Sequence, residues 1–453
     1  MKKKLLSVLL AAAMVVSMTA CGSKGTATEA PAATDDAATA TTEAATDTAA
    51  AATGDAVTIK VFSNLADRTT GQGFVEQTLF DNYMAENPNV TIQVETLDDE
   101  AYKTKFKAYA SGSDMPDLIN AWGQPSFLNE IIDAGLLAEL NMDDYKDYGF
   151  ISGSLDGFSK NGKLYGLARN TDVMGFYYNK ALFEANGWEV PKTYDELIDL
   201  CGKIKAAGLI PVSMDGSDKW PLSIYIHDLM QKIDPAVKQE VQKSIETGDF
   251  SNPIYAQACD LFQQAVDAGM FQAGFETTDY GTSKNLFTNA QAAMFYMGSW
   301  EMSMATDEAV SADVKDNIGA FMMPAVEGGK GTVNDIAAWN GGGYAVTANS
   351  AVKDEAVKLL NYMFLPENWS KLCWENGICM SAQDYSAYLT GTETPVQIAF
   401  TDIVKNATSV TGVTLNDLGT SEFKTISEDL SQELAIKSVT TDEFITQLGE
   451  ACK

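Results

Sequence analysis

Four of the seven tryptophans stand beside polar residues or glycines at the apparent ends of elements, outside apolar runs. Trp122 leads into Gly123-Gln124, and Trp220 closes the run Asp215-Gly216-Ser217-Asp218-Lys219. Trp300 sits between Ser299 and Glu301, and Trp339 opens Asn340-Gly341-Gly342-Gly343. An indole face flanked by amides and carboxylates suits a sugar ring, whose C–H face stacks while its hydroxyls take hydrogen bonds. One such tryptophan reads as half-buried packing. Four in the same kind of setting shift the reading toward recognition.

Bond-breaking chemistry finds less support. No G-x-S-x-G occurs, and Gly328-Gly329-Lys330-Gly331-Thr332 places Gly331 where a phosphate loop needs Ser or Thr for magnesium, so it reads as a turn. His227, the one histidine, lies in Ile224-Tyr225-Ile226-His227-Asp228 without a Cys or Ser partner and reads as structural. With one histidine and no C-x-x-C pair, the zinc reading fails, and no metal or other cofactor is expected. One enzymatic alternative stays open among the 62 carboxylates, because a glycosidase pair is set by spatial separation and leaves no spacing in sequence.

Composition narrows the ligand further. The formal charge is −31, and removing the three lysines near the N-terminus takes it to about −34. Such a surface repels nucleic acid and anionic headgroups and favours a neutral or cationic ligand. Beyond Cys21 the cysteines are Cys201, Cys259, Cys373, Cys379 and Cys452. They read as buried free thiols, with a Cys373–Cys379 disulfide as the alternative.

The elements that must position these residues come in an ordered series. Lys2, Lys3 and Lys4 followed by the apolar run Leu5 to Val16 read as a signal peptide, too short to span a bilayer. Residues 22–55 are almost only Ala, Thr, Asp, Glu and Gly, and are expected to form a disordered linker reaching roughly 30 Å. Val57 to Phe62 and Val90 to Val94 alternate as strands, and Asp117 to Ala121 reads as a buried one. Between them, Val75, Leu79 and Tyr83, then Tyr102, Phe106 and Tyr109, mark amphipathic helices, a strand–helix series that predicts a parallel sheet. The pattern restarts with a strand at Val173 to Tyr178. A capping box at Thr193-Tyr194-Asp195-Glu196 opens the next helix, and Ile210 to Met214 follows as a strand. Further strands are expected at Ala292 to Tyr296, Ile318 to Met322 and Gly343 to Thr347. Nearly all the rest after Lys353 reads as helix, including one opened by the capping box at Thr440.

Two resemblances add to this reading. Met18-Thr19-Ala20-Cys21 resembles a bacterial lipoprotein cleavage box, with Met18 where Leu is usual, which implies lipid on Cys21. The rest of the chain resembles the extracellular solute-binding proteins of carbohydrate ABC importers. Its blocks are Met115-Pro116-Asp117-Leu118 to Trp122, Gly162-Lys163-Leu164-Tyr165-Gly166-Leu167 to Lys180, Ala292-Ala293-Met294 to Trp300, and Gly341 to Val346.

That resemblance implies an α/β fold of two periplasmic-binding-protein-like domains closing on a ligand in the cleft between them. Its domains would be 56–170 with 344–390 and 173–339 with 396–453, after a signal peptide and lipidation site at 1–21 and the linker at 22–55. Crossings would fall near 170–172, 339–342 and 391–395, where the glycines at 341–343 permit bending and close approach. Trp122 and Trp300, the latter beside Glu301, match the family's aromatic platforms. Trp339, Asn340, Gly341 and Gly342 match a crossing that touches ligand, and Asp218 with Trp220 match an acidic and aromatic loop. Arg169, Asn170 and Asp172 occupy the first crossing, and Asn64, Asp67 and Arg68 the loop after the first strand. The implied protein is a monomeric, non-enzymatic carrier, anchored by lipid on the outer face of a bacterial, Gram-positive cytoplasmic membrane. It would deliver an oligosaccharide to ABC permease subunits. A carbohydrate-active enzyme and a sugar-sensing partner of a membrane receptor are the alternatives.

Overall fold

Val57–Ser63, Val90–Thr96 and Leu118–Trp122 pair in parallel, with Val57 opposite Val90 and Val61 opposite Leu118. Parallel neighbours need a helix to return the chain, and Gly71–Glu86 and Asp99–Ser111 supply those crossovers. The computed structural model describes residues 55–453. The expected signal peptide, Cys21 and the linker through residue 54 lie outside the described residues. Two later strands complete the first sheet, giving the order Val90–Thr96, Val57–Ser63, Leu118–Trp122, Gly342–Val346, Leu167–Ala168. Gly342–Val346 runs antiparallel to its neighbours, so the sheet is parallel only in its N-terminal part. Phe62, Phe80 and Phe158 are fully buried around it, each contributing roughly 1.5–3 kcal/mol by leaving water.

The second sheet has the order Ile318–Phe321, Asp172–Asn179, Ala292–Gly298, Ile210–Ser213, and only the last pair is parallel. Its central strand alternates between two apolar layers. Met174 and Phe176 join the core formed with the helices Tyr194–Ala206, Trp220–Ile233 and Pro253–Ala268, while Val173 and Tyr177 face Phe287, Phe400 and Met302 on the other side. Burial on both faces explains why this strand reads as a continuous apolar run. The mixed α/β architecture is thus the one the sequence predicts.

The chain passes between the sheets at three places. It leaves the first after Ala168 and enters the second at Asp172; it returns between Trp339, paired with Asp172, and Gly342, paired with Trp122. In the third passage Ser381 bridges Asn170 and Ala382 lies in the first core, after which Pro395–Lys405 places Val396 and Phe400 in the second lobe. Trp369, fully buried, donates its indole N–H to the Arg169 carbonyl at 2.9 Å and so fixes the start of the first passage. The capping boxes at Thr193 and Thr440 are formed, and a third, Thr394 with Gln397, opens Pro395–Lys405. All five cysteines of the described residues are free thiols.

Candidate ligand-binding site

In open α/β sheets the loops at the carboxyl ends of strands form the natural binding crevice. Here Asn64 follows Val57–Ser63, Trp122 ends Leu118–Trp122, Asp215 to Trp220 follow Ile210–Ser213, and Trp300 with Glu301 follow Ala292–Gly298. These loops border one cleft of about 970 Å³ between the two sheets.

The wall from the second lobe is aromatic. Trp300 lies with its ring centroid 6.0 Å from Trp220, tilted to it, and 6.4 Å from Trp339, which meets it edge-on. Its indole N–H donates to the Tyr280 hydroxyl at 2.7 Å, and Tyr280 in turn donates to Glu301, which Lys284 meets at 2.8 Å. Burial, then the Glu301 charge, push the Tyr280 phenol well up, so it stays a donor. Gly298 makes this possible: a Cβ there would lie 2.1 Å from the folded-back Trp300 ring.

The wall from the first lobe is more charged. Trp122 is half-buried, touched edge-on by Phe127 at 5.1 Å and Tyr102 at 5.5 Å, with Lys103 Nζ 5.4 Å from its ring centroid. Lys103 is held by Asp99 and Glu100, each at 2.7 Å. Burial lowers its pKa, but these carboxylates with Glu428 outweigh that and raise it. At the floor, buried Arg169 reaches Asn64 Oδ1 at 3.4 Å, and a Cβ on Gly342 would meet the Arg169 guanidinium at 2.9 Å. Burial raises Asp172 to about 6, against the pull of Arg169, an Asn170 amide bond and the Gly341 and Gly342 N–H groups. Asp67 is raised by burial but lowered further by Thr70 and Thr69, ending at about 2.

Buried polar atoms without a hydrogen-bond partner among the cleft-lining residues include Gln72 Oε1, Arg169 Nε, Asn170 Oδ1 and Trp220 Nε1. Leaving such a group unmade costs about 1–3 kcal/mol.

The cleft brings together Asn64, Asp67, Trp122, Arg169, Asn170, Asp172, Asp218, Trp220, Trp300, Glu301, Trp339 and Gly342. Three expected contacts lie off it. Arg68 turns inward to pair with Glu76, whose fully buried carboxylate requires a cation. Asn340 donates to Thr171 Oγ1 at 2.9 Å and to the Asn170 carbonyl at 3.2 Å, tying one crossing to the other. Gly341 accepts from Gly123 N–H at 2.7 Å and packs under Trp339. Sequence reading missed Tyr280, Lys284, Lys103 and Asp99. The four-residue spacings Tyr280–Lys284 and Asp99–Lys103 are visible in sequence, but their cleft-facing sides are not. His227 is fully buried, its Nδ1 accepting from Leu415 N–H at 3.1 Å, and burial lowers its pKa to about 3.

Bonds cross the cleft at one rim. Ser126 Oγ donates to Asp417 at 2.6 Å, and Glu130 accepts from Ser421 N–H at 3.1 Å and Oγ at 2.8 Å. Lys424 bridges Asp417 and Glu428 at 2.8 and 2.6 Å. The lobes are therefore in contact around the site.

Comparison with known proteins places this geometry. A profile of the bacterial extracellular solute-binding protein family matches residues 63–368. The multiple sugar-binding protein of Streptococcus mutans is 26% identical over 318 residues, covering 68% of this chain and 71% of that protein. A structure from work on xylan utilization by Caldanaerobius polysaccharolyticus superposes with a TM-score of 0.80 at 26% identity, covering 87% of this chain and 99% of the other. A chitin oligosaccharide-binding protein shares the fold with a TM-score of 0.77 at 24% identity, over 88% and 98% of the two chains.

Proposed function

Because the chain belongs to the bacterial extracellular solute-binding protein family, we propose that it captures a neutral oligosaccharide in this cleft and delivers it to the permease of an ABC importer. The observation that carries the reading is the cleft's wall pair: Trp300, flanked by Trp220 and Trp339, faces across to Trp122, with unpartnered polar atoms at the floor. Tilted indoles offer faces to sugar rings, and the carboxylates and amides around them accept and donate to hydroxyls. A volume of about 970 Å³ stands at the upper end of small-molecule sites, roughly 300–1,000 Å³, which favours more than one sugar ring. Sugars bound by relatives support the class.

The family is one of binding proteins, so the ligand leaves as it arrived. Its affinity is spent on shifting the lobes toward the closed arrangement, which the rim bonds from Ser126 and Glu130 complete. Cys21 would carry the lipid that keeps the protein, as a monomer, at the outer face of the membrane near its permease; Cys21→Ala should release it to the medium. The direct test is a thermal-shift screen with xylotriose, maltotriose, triacetylchitotriose, amino acids and polyamines. Ligand at about 100 times its Kd should add roughly 2.7 kcal/mol of stability. A shift with a neutral glycan recovered intact supports the reading, whereas shifts only with cationic ligands would remove the sugar.

A further inference from the structure

Asp215 stands behind the aromatic wall and does not itself line the cleft. It is 0% exposed, and its Oδ1 accepts from the Asp218 N–H at 3.1 Å. Its Oδ2 meets no donor, and no Lys, Arg or His forms an ion pair with it among the described residues. Its nearest acidic neighbour is Asp218 in the same loop, held beside it by that N–H bond, and the two carboxyls perturb each other. Two carboxylates cannot satisfy each other, since both are acceptors, and a buried one without a cation is costly to ionise. A proton between them resolves both costs, as it does wherever two carboxyls share a site.

The loop leaves no other escape. Gly216 N–H is held by the carbonyls of Phe275 at 3.1 Å and Thr278 at 3.2 Å, Ser217 N–H by Thr278 at 3.1 Å, and the Gly216 carbonyl by Gln432 at 2.9 Å. Lys219 adopts φ +66°, a left-handed conformation that a non-glycine residue keeps only when its surroundings enforce it. Asp218 is thereby fixed between Asp215 and the cleft.

We propose that Asp215 holds a proton at neutral pH and donates it to the Asp218 carboxylate, fixing Asp218 as an acceptor aimed at a ligand hydroxyl. The hydroxyl role rests on the proposed function above; the shared proton does not. Asp215 is thus a positioning residue. The charged groups around the pair point the same way. Asp279, which caps Tyr280–Thr288, acts on Asp215, and Asp99, Glu100 and Lys103 act on Asp218 from across the cleft, with Lys103 already committed to the first two. Lys219 is engaged by Asp429. Burial first and the Asp218 charge second push Asp215 up to about 8.

The test is a pH titration of the full chain carrying ¹³C-carboxyl aspartate, followed by NMR. One aspartate should remain protonated at pH 7, titrate near pH 8 and vanish in Asp215→Asn. Titration of every aspartate below pH 7, or survival of the high-titrating signal in that variant, overturns the shared proton. This readout needs no ligand. For whichever trisaccharide of the panel above binds, affinity should fall about tenfold from pH 7 to pH 9. Asp215→Asn, which keeps a donor, should flatten that fall, and Asp215→Ala should weaken binding at every pH. A flat profile in the unmodified protein overturns the link to the ligand while leaving the NMR result to stand alone. Absence of any glycan binding beside a clear high titration counts against the sugar and not the proton.

Discussion

Trp300 and Trp122 face the same cleft from opposite lobes, yet they are held differently. Trp300 has its N–H committed to Tyr280, its ring lodged over Gly298 and two further tryptophans beside it. Trp122 is steadied only by aromatic edges and by Lys103 above its ring. One wall is locked by hydrogen bonds and close packing; the other is tuned by charge on a helix that meets solvent. A ligand should thus be anchored and oriented by the second lobe, and read more tolerantly by the first. Rigid aromatic groups lose little entropy on binding, so the locked wall gives more affinity per contact.

Substitutions at the two walls test that difference. Trp300→Ala should produce the largest loss, about 2–4 kcal/mol or roughly 30- to 1,000-fold in Kd by calorimetry, because a buttressed aromatic anchor is removed. Trp122→Ala should cost about 1–2 kcal/mol and broaden the range of sugars accepted at that end. Equal losses at the two positions would erase the distinction between the walls.

A third prediction concerns the locked wall's hidden acid. Asp215 has a folded-state pKa raised above its ordinary 3.8, to about 8. The unfolded chain therefore releases this proton first, and the contribution of Asp215 to stability falls as pH rises from about 4 to about 8. Asp215→Asn should melt higher than the unmodified protein at pH 8, and no higher at pH 4. The reverse order would show that the carboxyl is ionised in the fold.

The smallest effect is expected at the rim. Glu130→Ala combined with Ser126→Ala removes bonds to Ser421 and Asp417 that exist only while the lobes touch. Affinity should weaken a few-fold, about 1 kcal/mol, through faster dissociation and without a change in which sugar binds. An altered sugar preference would instead make these residues direct contacts.

The wall tryptophans were legible in sequence because strands announce themselves by alternation, and a tryptophan at a strand's carboxyl end stands where α/β folds bind ligands. The antiparallel entry of Gly342–Val346 into the first sheet was not, since an apolar run does not encode direction. Arg68 shows a second limit: its partner Glu76 is buried only by tertiary packing, so the arginine reads as cleft-facing until the fold shows what it must neutralise. Tyr280 and Lys284 are set four apart on Tyr280–Thr288, but the groups they brace, Trp300 and Glu301, come from another element. Asp215 was visible only as part of the polar run before Trp220, and what makes it chemically distinct, complete burial beside a second carboxyl, is a property of the assembled lobe.

The central claim is that an intact neutral oligosaccharide is bound between these two walls. Calorimetric titration of the full chain and of Trp300→Ala with xylotriose, maltotriose and triacetylchitotriose, followed by mass analysis of the recovered sugar, tests it most directly. Saturable binding of at least one trisaccharide, recovered unshortened and lost in the variant, is the predicted result. Binding that survives in Trp300→Ala, or a sugar returned with a cleaved linkage, would contradict it.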